Sequence, residues 1–212
     1  MSDLQNKSRL AVLGASGHGK VVAEIAELNG YEVIFYDDAY PDKQTLAHWS
    51  IEGNSDALKK CLDEVDGVAI GIGNNLIRQS KYDFFKELGA AFPVLIHPNA
   101  IVSKYAQLGE ATVVMAGASI NPFALVGTGC IINTKSVVEH DCQVGSFVHI
   151  CPNSSIAGHC EVGDLAWFGI GSNAIQQISV GKNSIVGAGS VIIRDVPENV
   201  TVVGSPAKVI RK

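Results

Sequence analysis

The chain has 212 residues, of which 47% are hydrophobic and 17% charged, with a formal net charge of −5. This composition excludes a disordered chain, and the acidic balance argues against a nucleic-acid binder that works through a basic footprint. No run approaches the roughly 18 apolar residues of a membrane span, and the leading MSDLQNKSRL lacks the apolar segment of a signal peptide, so a cytoplasmic location is expected.

Val and Ile are unevenly spread. Residues 1–97 carry 14 Val/Ile against 10 Leu and 23 charged residues of net −5; residues 98–212 carry 30 Val/Ile against 3 Leu and 14 charged residues of net zero. Helices favour Leu and charged residues, strands favour β-branched ones. Two domains are expected, 1–97 and 98–212, the second almost purely β.

In the first domain, residues 9–14 (RLAVLG) read as a short buried strand. A Gly-rich turn follows, Gly14-Ala15-Ser16-Gly17-His18-Gly19. KVVAEIAELNG then has a helical apolar stripe closed by Gly30. YEVIFYDD (31–38) is a second strand, 65–75 a third, 76–89 a helix ending at Gly89, and FPVLIHP (92–98) a fourth strand. Alternation of this kind predicts a small parallel α/β sheet. The turn is G-x-x-G-x-G, which is not the dinucleotide fingerprint. It also misses a Walker A loop, because Val21 stands where a Ser or Thr would reach Mg²⁺. Glycines still let a backbone approach a ligand, a helix N-terminus attracts phosphate, and ligands of open α/β sheets sit beyond the carboxyl ends of the strands. Three segments meet there: the 14–19 turn, Asp37-Asp38, and Gly71-Ile72-Gly73-Asn74-Asn75. The plain alternative is that the glycines only serve tight turns, that His18 is a surface residue, and that the aspartates merely end a strand.

In the second domain, every sixth residue from Val102 to Ile192 defines 16 positions, 14 of them Val, Ile or Leu. With 33 such residues among the 115, chance would give about five. Four residues after each of these positions the side chain is usually small, and Gly109, Gly127, Gly145, Gly163 and Gly181 recur with a period of 18. This is a hexapeptide repeat: each hexad makes a short strand and a turn, three hexads make one triangular coil, and stacking alone buries a continuous core. Five coils spaced at about 4.8 Å give a prism roughly 24 Å tall. The five Cys show no CxxC pairing and read as reduced thiols, with neither disulfide nor zinc.

Polar residues that break such a pattern are informative. The densest run is Asn133 to Cys142. There Glu139 fills the hexad slot held elsewhere by Gly109, Gly127 and Gly145, and His140 beside Asp141 supplies an imidazole with a carboxylate to orient it, the usual pairing of a general base. His149 lies one and a half hexads on, so it is expected on a different side of the coil. His159 is one residue past a full coil, near His140 but not stacked on it. Together the three His give only a weak metal-ligand pattern. The tail, VVGSPAKVIRK, ends in cations.

The hexapeptide repeat with its G-x-P-A-K tail resembles the left-handed β-helix acyltransferases. With GASGHGKV, YDD, IGNN and INTKSVVEHDCQVG, residues 9–208 resemble the sugar O/N-acyltransferase family that includes the nucleotide-4-amino-sugar N-acetyltransferases of bacillosamine-type pathways. The resemblance implies a Rossmann-like nucleotide-sugar domain followed by a left-handed parallel β-helix, a homotrimer with active sites between subunits, and acetyl-CoA as co-substrate with no metal. It implies that His140 is the catalytic base, oriented by Asp141, which is Glu in some members. It assigns Gly14, Ser16, His18, Asp37, Asp38, Gly73, Asn74 and Asn133 to the substrate, and His149, Gly158, Gly169, Ile170, Ala188 and Lys208 to the donor. UDP is the expected nucleotide. A GDP-linked substrate, O-acetylation of sialic acid or a related sugar, and a non-catalytic prism are the alternatives.

Overall fold

The computed structural model describes residues 8–211. The chain divides into two compact units that meet between Leu95 and Ile96.

The first unit is a five-stranded sheet flanked by helices. Its elements run β1 (Arg9–Leu13), α1 (Gly17–Leu28), β2 (Glu32–Tyr36), β3 (Thr45–Leu46), β4 (Trp49–Gly53), α2 (Ser55–Lys60), β5 (Gly67–Ile70) and α3 (Asn75–Glu87). The strand order is β3-β4-β2-β1-β5. The pairs β1·β2, β1·β5 and β2·β4 are parallel. The edge pair β3·β4 is antiparallel, so the sheet is mixed rather than purely parallel. β1 and β5 are apolar on both faces, as strands covered by helices must be: Leu10, Ala11, Val12, Val68 and Ala69 are all buried. α1 buries Val22, Ala23, Ile25 and Ala26 against them.

Two expectations change here. The stretch between Asp38 and Val65, where no element is expected, holds the β3–β4 hairpin and α2. The expected fourth strand at 92–98 does not join this sheet. Only Leu95–Ile96 is extended, and it pairs into the prism. Pro93 and Pro98 have no N–H to donate to a longer ladder.

The second unit is a parallel β-helix. Two-residue strands recur every six residues from Ile101–Val102 to Val191–Ile192. The second residue of each strand is the predicted inward aliphatic. Residues 18 apart pair in register (Val137 with Ser155, Val138 with Ile156), and this repeats along three faces. The first face starts at Ile101, the second at Gln107 and the third at Leu95, whose strand pairs with Val113–Val114. Ile120, Ile132, Val138, Ile150, Ile156 and Val186 are at most 1% exposed and form the stacked core.

The corners explain the rest of the hexad. Three residues after each inward position from Leu108 to Val186 the backbone turns left-handed, as at Ala111 (φ 59°), Phe123, Lys135, Asp141, Asn153, His159 and Asn183 (φ 55°). The small residue that follows is buried from Thr112 on, and Thr112, Cys130, Cys142, Ser154 and Cys160 each donate to a carbonyl 15 residues ahead. Thr112 Oγ1 donates to Gly127 O at 2.8 Å, Cys142 Sγ to Ala157 O at 3.1 Å and Ser154 Oγ to Gly169 O at 2.8 Å. Buried donors must be satisfied, which is why Ala, Ser, Thr and Cys alternate in this slot. All five Cys are free thiols.

The glycine row occupies the corner between the second and third faces. A Cβ on Gly127 would stand 2.7 Å from Gly145 C and 2.8 Å from Ser146 N. Coils at this corner touch backbone to backbone, so only glycine fits. After the last coil, Thr201–Gly204 extends the third face and Ala207–Arg211 folds back antiparallel on it. Among the described residues no helix is long and apolar enough to cross a membrane.

Candidate active site

In the first unit, the chain ends of β1, β2 and β5 gather the predicted nucleotide-side residues. Gly14 (φ 105°) makes the turn out of β1, its N–H bonding Tyr36 O at 2.8 Å. Ser16 caps α1 by accepting from Gly19 N, and its own Oγ donates to Gly71 O at 3.1 Å. Asn74 caps α3 in the same way, accepting from Ile77 N at 3.0 Å. Two helix N-termini therefore open at this end of the sheet, which is an anion-attracting arrangement.

The aspartates do more than end a strand. Asp37 accepts Ala15 N at 2.6 Å and Ala39 N at 2.9 Å, holding the glycine turn against β2. Asp38 accepts Ser55 N at 2.9 Å and pairs with Lys81 at 2.7 Å. Burial pushes the Asp38 carboxyl up, but the bonds from Lys81 and Ser55 outweigh it and set it down to about 2.

The glycines divide into two kinds. A Cβ on Gly14 would meet Ile72 Cγ1 at 2.7 Å and one on Gly71 would meet Gly14 O at 2.5 Å, so these serve close packing. Gly17 and Gly73 face open space, with nothing within 4 Å. His18 is no surface residue. Burial and then the Arg78 charge lower its pKa to about 4, and its Nε2 has no partner among the described residues. Reading of the sequence missed Arg78, which is 2% exposed and donates to Ile72 O at 3.2 Å and Gly73 O at 2.9 Å. It also missed Lys43, which donates to Ala15 O. Arg78 sits four residues after the Asn74 cap, one turn into α3, and that spacing was the available signal.

In the second unit, His140 stands at the corner between the first and second faces. Its Nδ1 lies 2.8 Å from Asp141 Oδ2, and its Nε2 has no bond from the described residues. Asp141, one methylene shorter than Glu, still reaches because its backbone is left-handed (φ 60°). The ring lies over Gly158, one coil on, where a Cβ would stand 2.6 Å from both Cε1 and Nε2. Gly158 is thus the floor beneath His140. His159 lies closer than its spacing suggested. Its ring is edge-on to His140 at 5.3 Å, and its Nε2 is 3.4 Å from the same Asp141 oxygen.

Cys142 next door points into the core. Its Sγ donates to Ala157 O at 3.1 Å, and bonding to Cys160 and burial push the thiol well above the usual cysteine range. Glu139 shares the hexad slot of the glycines but stands at a different corner, where Ser103, Asn121, Ala157 and Ile175 occupy the equivalent places.

The remaining prism residues gather at the next corner, between the third and first faces. Asn133 Nδ2 meets His149 Nε2 at 3.0 Å, so the amide donates and this nitrogen accepts. His149 is 6% exposed and packs edge-on to Trp167 at 4.3 Å. Gly169 stands two coils on from Asn133. A Cβ there would meet Ala188 N at 2.6 Å. Ile170 is 58% exposed beside them. Lys208 is exposed on the closing hairpin, opposite Val203. Within one chain, then, the structure unites His140 with Asp141 and Gly158, and Asn133 with His149, but the two groups lie on different edges of the prism.

Residues 9–85 match the PglD N-terminal domain family. A UDP-N-acetylbacillosamine N-acetyltransferase from Bacillus subtilis (strain 168) is 39% identical over 114 residues, half of this chain and 51% of that protein. The match thus spans about half the length of this curated relative. The acetyltransferase domain of PglB from Neisseria gonorrhoeae FA1090, solved with acetyl coenzyme A, is 37% identical with TM-score 0.90, covering 97% of this chain and all of that one. A histidine-to-asparagine mutant of perosamine N-acetyltransferase from Caulobacter crescentus, solved with CoA and GDP-perosamine, is 34% identical with TM-score 0.93, covering 97% and 98%. The β-helix is accordingly left-handed, and the chain belongs to the acetyl-CoA-dependent sugar N-acetyltransferases of the bacillosamine type, in the hexapeptide-repeat family.

Proposed function

We propose that this protein transfers the acetyl group of acetyl-CoA to the 4-amino group of a nucleotide-linked amino-dideoxy sugar, with UDP as the nucleotide. The observation that carries the chemistry is the His140–Asp141 pair at 2.8 Å, with Nε2 left open. Asp141 accepts from Nδ1–H, which fixes the tautomer whose Nε2 lone pair is available. As the sugar nitrogen attacks the thioester carbonyl, a nitrogen-bound proton passes to Nε2. A backbone N–H stabilises the tetrahedral oxyanion. The intermediate collapses, the C–S bond breaks, and the proton leaves with CoA as the thiol. No covalent acyl-enzyme forms.

The paired helix N-termini, with Gly17 and Gly73 facing open space, support a nucleotide-sugar diphosphate at the first unit. The division of the prism residues between two edges supports a homotrimer. In a threefold arrangement, His140 of one copy faces the Asn133–His149 edge of its neighbour, and CoA runs past Gly169, Ile170 and Ala188. The GDP-perosamine complex of the Caulobacter relative supports a GDP-linked sugar as the second reading. Ligand binding to the native state raises its stability, so melting temperatures with UDP, GDP and CMP separate the readings. UDP is expected to give the largest rise. A rise with GDP alone replaces UDP by GDP, and a rise with CMP alone moves the assignment to sialic acid.

A further inference from the structure

Asp141 and His159 are equivalent residues of successive coils, 18 apart, and both take left-handed backbone at φ 60° and 57°. Stacked positions are separated by about 4.8 Å, so His159 reaches the Asp141 carboxylate from the neighbouring coil while His140 reaches it from alongside. Asp141 Oδ2 is 2.8 Å from His140 Nδ1 and 3.4 Å from His159 Nε2. The three donor atoms lie within 4.8 Å of one another. Acetyl transfer as described above uses the first contact and has no task for the second.

We propose that His140 Nδ1, Asp141 Oδ2 and His159 Nε2 bind one first-row transition-metal ion, Zn²⁺ above all, and that the bound ion switches the base off. Two imidazole nitrogens and a carboxylate oxygen are a donor set that zinc takes, at about 2.0–2.2 Å. Tetrahedral ligands at that range stand about 3.3 Å apart, and the separations of 2.8 and 3.4 Å lie on either side of that value. The three atoms form one face of the tetrahedron, and the fourth position opens to solvent, since the side chains of His140, Asp141 and His159 are 54%, 39% and 57% exposed. The backbone beneath is fixed by the ladder: His159 N donates to His140 O at 3.0 Å and Asp141 N to Pro122 O at 3.2 Å. Little reorganisation is then needed to close on an ion.

Inhibition follows from the tautomer. The working ring carries its proton on Nδ1 and its lone pair on Nε2. An ion that takes the Nδ1 lone pair requires the one ring proton to sit on Nε2, reached through solvent with no proton gained or lost. Nε2 then donates and cannot accept. This part rests on the reading of His140 as the base; the ion site itself does not.

The test titrates chelator-treated protein with Zn²⁺ by calorimetry, and with Co²⁺ by its visible tetrahedral spectrum. One ion per chain is expected, with affinity lower by at least about tenfold in His159→Gln. Gln is chosen because Gln177 holds the equivalent left-handed position one coil on, at φ 61°. His159→Asn serves if Gln does not fold. Turnover, followed as acetylated sugar rather than free thiol, should fall with Zn²⁺. His159→Gln should need at least about tenfold more ion for the same fractional loss relative to its own ion-free rate. No binding, or equal binding by His159→Gln, overturns the site. Stoichiometric binding with unchanged turnover overturns the switch. Normal turnover by His140→Ala would remove the base while leaving the Co²⁺ titration of the wild type to decide the site.

Discussion

In the proposed reaction His140 depends on two neighbours, Asp141 and Gly158, and each makes a separate prediction. Asp141→Asn keeps the left-handed backbone, which Asn accepts, but offers an N–H where the carboxylate accepted. The ring then turns to the tautomer with Nε2 protonated. We expect kcat/KM to fall on the order of 10²-fold or more, within the range of general-base loss, and a rate within about twofold of wild type would show that Asp141 does not set the tautomer. Gly158→Ala places a methyl 2.6 Å from the His140 ring. A half-exposed ring can swing away cheaply, so the melting temperature should barely move while kcat/KM falls on the order of 10²-fold, the cost of about 1 Å of misplacement. His18 makes a prediction of another kind. Burial, and then the Arg78 charge, lower its pKa to about 4 from an ordinary 6.5. Between those values the unfolded chain takes up a proton that the folded chain refuses. His18 therefore costs stability as pH falls through 6.5 towards 4, by up to about 1.4 kcal/mol per unit. Urea unfolding at several pH values should show a shallower fall for His18→Gln. His140 and Asp141 were legible in the sequence because they interrupt a monotonous repeat. His159 was expected near His140 without a role, because a spacing counted from His140 hides that it stacks on Asp141.

At the scale of the element, the hexad was legible because its inward positions repeat without a slip. Its turns were not. Left-handed backbone favours Gly or Asn, yet here it is carried by Phe123, Lys135, Phe147 and Leu165 as well. Ladder bonds on both sides over-determine these corners, so residue type carries little signal. The glycine row gives the complementary case. Gly127→Ala drives a Cβ into the backbone of the next coil at 2.7 Å. Neither side can give, so a loss of about 1–3 kcal/mol is expected from overpacking, read as a lower denaturation midpoint. Unchanged stability would mean that the coils can spread at this corner. In the first unit, β1, α1, β2, β5 and α3 were legible from apolar runs bounded by Gly and Asn. The β3–β4 hairpin was not, because its turn at Ala47-His48 lacks Gly and Asn, and β3 is only two residues long.

At the scale of the molecule, composition changes along the chain because stacked branched side chains and helix-covered strands need different residues. The proposed active site is completed by a second copy, which one chain does not disclose. His140 stands on one edge of the prism and the Asn133–His149 pair on the next. Sedimentation equilibrium should therefore report three times the chain mass, and a monomer with full activity would contradict an active site shared between copies. The central claim is acetyl transfer to a nucleotide-linked 4-amino sugar by the His140 base. Its most direct test measures acetylated sugar formed from acetyl-CoA and UDP- or GDP-linked 4-amino sugars by the wild type and His140→Ala, with acetyl-CoA affinity followed in parallel. The account predicts amide formation by the wild type, and a loss of at least about 10²-fold in kcat/KM for the variant with its acetyl-CoA affinity kept. Near-normal turnover by a folded His140→Ala would contradict it.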